Sequence, residues 1–301
     1  MFLKPKLHTV RDCVRYGERL FRKAGLSYGQ GTGNAFDEAA FIALEIMGLR
    51  VDGLEEHWKH AVKPEEQQKI RQVMEARVAA RTPASYLLNK AYIRGYPFYV
   101  DERVIVPRSF IGEILCNQME GNVTYSFLDK REGAGRVLDL CTGSGCLAII
   151  AGDLFREAQV DAVDLSPDAL AVARRNVEAH DTKRRITLHE GDLFAPLTGK
   201  KYDVIISNPP YVDAQAMSEL PPEFRYEPEM ALGCCGTDGL DIVRRILKEA
   251  PAHLNDGGGL LCEIGRGKKL LEKEYPDLPF LWLDTEESSG EVFWITKDRL
   301  T

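Results

Sequence analysis

Apolar residues recur through the first ninety positions at the spacing of a helix face. Val10, Val14, Leu20 and Phe21 precede Gly25, and Ala39, Ala40, Ile42, Ala43, Ile46 and Met47 follow Asn34 and Asp37, two cap-forming residues. Pro64 opens another helix. Proline suits a first turn, Glu65 and Glu66 complement its positive end, and Ile70, Val73, Met74 and Val78 supply the stripe. A small helical domain is therefore predicted over residues 1–90. Between its first two helices lies GLSYGQGTGN, with Gly25, Gly29, Gly31 and Gly33. A phosphate-binding loop would need a strand before it and a Lys-Ser/Thr pair after it. Neither is there, so the segment reads as an irregular connection.

From Tyr92 to Pro107 the pattern turns to aromatic and β-branched residues interrupted at Gly95 and Pro97, which predicts a β-hairpin linker over residues 91–110. Strand and helix patterns then alternate through residues 111–301. Strands are expected near 136–140, 159–164, 185–190, 202–207, 258–264, 279–284 and 291–296, and helices over 145–157, 167–181 and 238–253. Such alternation specifies an α/β sheet wound on both faces, with its binding site at the C-terminal ends of the strands.

The net charge of −7, from 39 Lys and Arg against 46 Asp and Glu, argues against a protein that coats itself in nucleic acid. It is unevenly spread. Residues 1–90 hold 15 basic and 11 acidic side chains, hence +4, leaving 24 against 35, hence −11, for residues 91–301. The seven cysteines, Cys13, Cys116, Cys141, Cys146, Cys234, Cys235 and Cys262, are odd in number and form no CxxC pair with a His partner at metal spacing, so they read as reduced thiols and no metal site is expected. No stretch resembles a signal peptide or a membrane span, and a cytoplasmic protein is expected.

The chemistry gathers at the strand ends. The strand Arg136–Leu140 runs into Cys141-Thr142-Gly143-Ser144-Gly145, where glycines would let a ligand approach the backbone and the next helix offers free N–H groups. Dinucleotide enzymes share that spacing. Asp139 argues against them, because a carboxylate there would repel a pyrophosphate while accepting hydrogen bonds from a cationic or amino-bearing ligand. Asp164 ends the second strand, where an acid can take both hydroxyls of a ribose. Asp192 follows the third, placed to accept from an adenine amine with Leu193 packed on the ring. The fourth strand delivers Asn208-Pro209-Pro210-Tyr211. Two prolines stiffen the turn and strip it of donors, leaving the Asn208 oxygen and backbone carbonyls to hold the protons of a substrate –NH₂. No general base is evident, and His180 and His189 read as surface or strand residues.

These motifs together resemble class I S-adenosylmethionine-dependent methyltransferases of the amino-methylating type, whose Rossmann-like sheet the predicted strands match. Val106-Pro107-Arg108-Ser109 with Glu113, then Glu227-Pro228-Glu229-Met230-Ala231-Leu232, Asp238-Gly239-Leu240-Asp241 and Glu263-Ile264-Gly265, resemble the protein-glutamine N5-methyltransferases. SYGQGTGN, VPRS and the ending from Tyr275-Pro276 to Trp282 are similar to the branch that modifies the third protein of the large ribosomal subunit; Cys234-Cys235 departs from the small residues expected there. The resemblance implies S-adenosyl-L-methionine as cofactor, with Asp139, Thr142, Gly143 and Gly145 around its methionine part. It places Asp164 and Leu165 at the ribose, Asp192 and Leu193 at the adenine, and Asn208 beside the cofactor as well. It also implies that Asn208 and the Pro209 carbonyl receive a glutamine amide, with Pro210 completing the catalytic turn and Tyr211 covering the amide. The implied partner is that ribosomal protein, free or within assembling particles, with no membrane and no sequence-specific nucleic-acid contact. Residues 1–90 would then serve substrate recognition. Rival expectations are a release-factor glutamine methyltransferase, an adenine N6-methyltransferase using the same Asn-Pro-Pro-Tyr logic on a flipped base, a nicotinamide dehydrogenase, and a non-catalytic assembly protein.

Overall fold

The computed structural model describes residues 6–121, 125, 134–233, 236–286 and 288–300. Two compact units divide the chain, Met1–Ala91 with Leu220–Tyr226, and Tyr92–Glu219 with Glu227–Thr301. Cys234 and Cys235, where the sequence departs from the family pattern, lie outside the described residues.

The first unit holds α1 (Val10–Ala24), α2 (Ala35–Met47), α3 (Leu54–His57), α4 (Pro64–Ala80) and α5 (Ala84–Leu88). Thr9 caps α1 through the Asp12 amide while the Asp12 carboxylate takes the Thr9 amide, and Asn34 caps α2 through the amides of Phe36 and Asp37. The apolar stripes of α1, α2 and α4 meet in one core that includes Val14, Phe21, Ile42, Ile70 and Met74. Gly17 permits the close crossing, since a Cβ there would lie 2.7 Å from Ala39 Cβ and from Met74 Cε.

A charged network sits in that unit. Arg77 is 1% exposed and its Nε donates to Glu38 Oε1 at 2.7 Å, while its other nitrogens reach the carbonyls of Ser27 and Arg81. Glu223, brought in by the 3-10 turn Pro222–Tyr226, is fully buried against Arg81 at 2.7 Å and accepts the Ser27 amide at 2.9 Å. Gln30 donates to the Glu223 carbonyl, and Ser85 donates to the Gln30 carbonyl. The glycine-rich segment expected to be an irregular connection is irregular, and it also forms the receptor for residues 220–226.

From Ala91, the last residue of the first unit's main stretch, the chain forms the hairpin β1 (Ala91–Ile93) and β2 (Tyr96–Phe98), turned at Arg94 and Gly95, both with positive φ as a tight hairpin turn requires. The chain from Tyr99 to Pro107 then adds no strand, and α6 (Phe110–Glu120), which the sequence reading did not anticipate, starts at the Ser109 cap. There follow β3 (Arg136–Leu140), α7 (Cys146–Leu154), β4 (Gln159–Asp164), α8 (Pro167–Ala179), β5 (Ile186–Glu190), β6 (Tyr202–Ser207), α9 (Ala214–Glu219), α10 (Glu229–Leu232), α11 (Asp241–His253), β7 (Leu254–Glu263), α12 (Lys268–Glu274), β8 (Leu281–Asp284), β9 (Ser289–Thr296) and α13 (Lys297–Leu300). One sheet takes the order β5-β4-β3-β6-β7-β9-β8, parallel up to β7 and antiparallel at β9.

This is a doubly wound α/β sheet, as the alternating strand and helix patterns predict, buried on both faces. Val137, Val160, Val204 and Leu261 pack under α6 and α7, while Leu138, Leu140, Ile205 and Leu260 pack under α11. The strand order reverses between β3 and β6, so the loops leaving β3, β4 and β6 open beside one another at the carboxyl edge.

Replacing Arg77 with Leu leaves Glu38 buried without its cation, and stability is expected to fall by roughly 3–5 kcal/mol, read as a lowered urea midpoint. An unchanged midpoint would show the pair to be dispensable.

Candidate functional site

The turn after β3 alternates between ordinary and left-handed backbone, with φ of +59° at Cys141, +54° at Gly143 and +79° at Gly145. Its two glycines have different reasons. A Cβ at Gly143 would meet nothing within 4 Å and would intrude on the cavity that this residue lines, whereas a Cβ at Gly145 would lie 3.2 Å from Ala173 Cβ on α8. The turn is tied to β4 by Thr142 N donating to the Val163 carbonyl and Gly143 N donating to Asp164 Oδ2 at 2.8 Å; Asp164 Oδ1 accepts from Ser166 N at 2.9 Å. Burial raises the Asp164 carboxyl against the pull of these amides.

Asp139 is not on the cavity wall. It shares the Val137 side of β3, so its carboxylate enters beneath the turn with no exposure. Oδ2 accepts from Thr142 Oγ1 at 2.5 Å and Ala148 N at 3.1 Å, while Oδ1 is buried without a hydrogen-bond partner among the described residues. Burial pushes this carboxyl up to about 7. A neutral acid is cheaper to leave there than a bare anion. Thr142 is likewise turned inward, onto Asp139.

The cavity measures about 770 Å³, within the range of small-molecule sites. Of the residues expected to hold a cofactor, Gly143, Asp164, Leu165, Asp192, Leu193 and Asn208 line it. Leu193 is buried with φ of +50°, a strained setting for a non-glycine residue. Asp192, half exposed, is paired at 2.9 Å with Arg245 on α11, so its carboxylate is already engaged by a cation rather than standing free for an amine.

After β6, Ser207 Oγ donates to the Leu140 carbonyl and fixes the start of the acceptor turn. Asn208 and Pro210 line the cavity, and the Asn208 carboxamide has no hydrogen bond among the described residues. Pro209 is buried. The Tyr211 ring packs on Gly265 and its hydroxyl donates to Glu263, outside the cavity lining.

Arg103, Val104, Ile105, Met217 and Met230 also line the cavity, and the sequence reading assigned none of them a site role. Arg103 is held by Asp101 at 2.6 Å, and that pairing, with a hydrogen bond from Tyr99, brings the Asp101 carboxyl down to about 2. Met230 lies within the Glu227–Leu232 string, which was the available signal. Neither histidine reaches the cavity: His180 Nε2 meets the Pro97 carbonyl and His189 Nε2 meets Asp161.

A family model described as "Methyltransferase small domain" matches residues 122–222. A protein of Bradyrhizobium diazoefficiens named ribosomal protein uL3 glutamine methyltransferase is 53% identical over 96% of this chain and 91% of its own length. Proteins of the same name are 48% identical in Burkholderia pseudomallei, over 97% of this chain and 95% of theirs, and 46% identical in Neisseria meningitidis, over 98% and 95%.

Asp139 titrates at about 7 in the folded chain against 3.8 unfolded, so the folded form retains a proton that the unfolded form releases. The stability this confers is full below about pH 4 and is lost as pH rises through 7, a change on the order of 4 kcal/mol. Asp139→Asn is expected to flatten that slope of urea midpoint against pH; a slope equal to wild type would contradict the assignment.

Proposed function

The chain belongs to the ribosomal protein uL3 glutamine methyltransferases, and from that premise we propose that Asn208 is the residue that receives the acceptor glutamine, on the wall of a cavity that holds S-adenosyl-L-methionine. The reaction moves the methyl group to the side-chain amide nitrogen of a glutamine in uL3, giving N5-methylglutamine and S-adenosylhomocysteine. The observation that carries the residue assignment is the uncommitted Asn208 carboxamide beside a proline that can offer no donor. The cofactor supplies an electrophilic methyl on a sulfonium.

The lining fits such a ligand. Gly143 leaves backbone-width room, Asp164 has acceptor capacity beyond its two amides, Leu193 and Val163 give apolar surface, and the acids Asp164 and Glu229 suit a cation. Asp139 supports the turn from below rather than touching the ligand.

An amide nitrogen is a weak nucleophile because its lone pair is delocalised into the carbonyl. Asn208 Oδ1 and the Pro209 carbonyl, each accepting one amide N–H, enrich that nitrogen and aim it in line at the methyl carbon. With the cofactor bound, the amide nitrogen would take the methyl as its bond to sulfur breaks, leaving a neutral thioether, and the acidified nitrogen would lose its proton to water. Orientation of this kind is worth on the order of 7–11 kcal/mol, so a dedicated base is not required. Every cavity-lining residue belongs to the second unit, and we assign uL3 recognition to the helical unit. We place the reaction in the cytoplasm, with uL3, free or within assembling particles, as the acceptor.

Asn208→Ala is expected to lower methyl transfer by on the order of 10²-fold or more while calorimetry shows cofactor binding unchanged. Lost cofactor binding would mean Asn208 is misplaced. In a mass-spectrometric methyl map with free uL3, assembling particles, release factors and nucleic acid all offered, the label should appear on a glutamine of uL3; label on release factor or nucleic acid alone would sink the reading.

A further inference from the structure

Tyr211 and Glu263 stand outside the cavity, yet together they hold the turn that carries Asn208. Tyr211 lies on Gly265, where φ is +54° and a Cβ would come within 2.7 Å of the ring. Its hydroxyl donates to Glu263 Oε1 at 2.8 Å. Glu263 ends β7 at 1% exposure, and its other oxygen accepts from Ser109 Oγ at 2.6 Å and Phe110 N at 2.9 Å. Because Ser109 caps α6, this carboxylate also sits at the positive end of an 11-residue helix. Burial raises Glu263, and burial together with the Glu263 charge raises Tyr211 well above its ordinary range, so the phenol remains the donor.

A second carboxylate works on the same segment. Glu227 accepts from Val106 N at 2.9 Å and binds Arg108 through both oxygens, at 2.5 and 2.8 Å, directly before Pro228–Ala231 on the cavity wall. The segment Val106–Phe110 is thus the common donor to two acids, one bonded to Tyr211 beside the Asn208 turn and the other directly before the Pro228–Ala231 stretch of the lining.

We propose that Glu263 is the positioning residue of the transfer site: through the Tyr211 hydroxyl it sets the distance and angle at which Asn208 presents the acceptor amide, without touching either ligand. Hydrogen bonds to a buried carboxylate are short and strong. Pro209 and Pro210 have fixed φ, so a hold on Tyr211 is passed to Asn208 across a stiff turn. Where no base assists, rate follows alignment, and a displacement of about 1 Å can cost about 100-fold.

The proposal rests on the methyl-transfer reading above and is tested in the full-length enzyme with uL3 as acceptor. Tyr211→Phe and Glu263→Gln are each expected to lower kcat by about 10- to 100-fold, with KM for uL3 and the Kd for S-adenosyl-L-methionine unchanged. The double variant should be no slower than the worse single, because Tyr211→Phe deletes the donor of the bond whose acceptor Glu263→Gln weakens. Tyr211→Phe deletes a single oxygen and keeps the ring on Gly265, so it tests the idea even if Glu263→Gln does not fold. Wild-type kcat in Tyr211→Phe, losses that multiply in the double variant, or a loss that falls on KM and cofactor affinity instead of kcat would overturn it. Absence of transfer by the wild-type enzyme would overturn the underlying reading, whereas an active wild type matched by Tyr211→Phe overturns this proposal alone.

Discussion

A carboxylate taken out of water at the end of a strand or loop must be met by hydrogen-bond donors, and the cheapest donors to bring are main-chain amides from another segment. Five buried or nearly buried acids follow that constraint. Asp139 takes the amide of Ala148, Asp164 those of Gly143 and Ser166, Glu227 that of Val106, Glu263 that of Phe110, and Glu223 that of Ser27. Apart from the Ser166 amide, two residues from Asp164, each bond joins segments that the chain would otherwise leave as independent loops. The cavity owes its shape to them, because Gly143, Asn208 and Pro228 line it from loops whose footing is one of these acids.

The same constraint explains what could and could not be read from sequence. Strands β3, β4 and β6 occupy the expected bounds because a parallel strand buried on both faces is a plain apolar run with a turn behind it. The edge was less legible: β7 begins at Leu254, ahead of the expected 258, since Asp256-Gly257-Gly258 reads as a turn. Helices α6, α9, α10 and α12 escaped notice, being short or following loops whose caps are the only signal. Gly143, Asp164, Asp192 and Asn208 were legible as cavity residues because each sits within a few positions of its strand end. The inward turn of Asp139 and the direction of the Tyr211 ring were not. The latter is decided by Glu263, 52 residues along the chain, and a local motif carries no trace of so distant a partner.

The glycine-rich GLSYGQGTGN segment makes the point at longer range. Its partner is Glu223, 196 residues from Ser27, on a stretch of chain that leaves the acceptor turn, enters the helical unit and returns at Glu227. The charge split also changes meaning. Part of the +4 of the first ninety residues is spent within the chain, with Arg81 on Glu223 outside those ninety, so the surplus is a poor guide to what that surface meets. In the acidic remainder, Asp161 is likewise engaged by Arg136, His189, Lys200 and Tyr202. Side chains that already hold the fold must be subtracted before net charge says anything about a partner.

That subtraction also separates residues that touch ligand from residues that hold those that do. Methylation of an amide nitrogen gains little from a base and much from alignment, which puts selection on the supports as firmly as on the wall. Asn208 can be uncommitted only because Ser207, Pro209, Pro210 and Tyr211 around it are not. A free carboxamide on a mobile turn would be an acceptor of any donor, including water. On a turn whose far end is bonded to a buried acid, its direction is fixed, and with it the direction from which the amide of the proposed transfer would arrive.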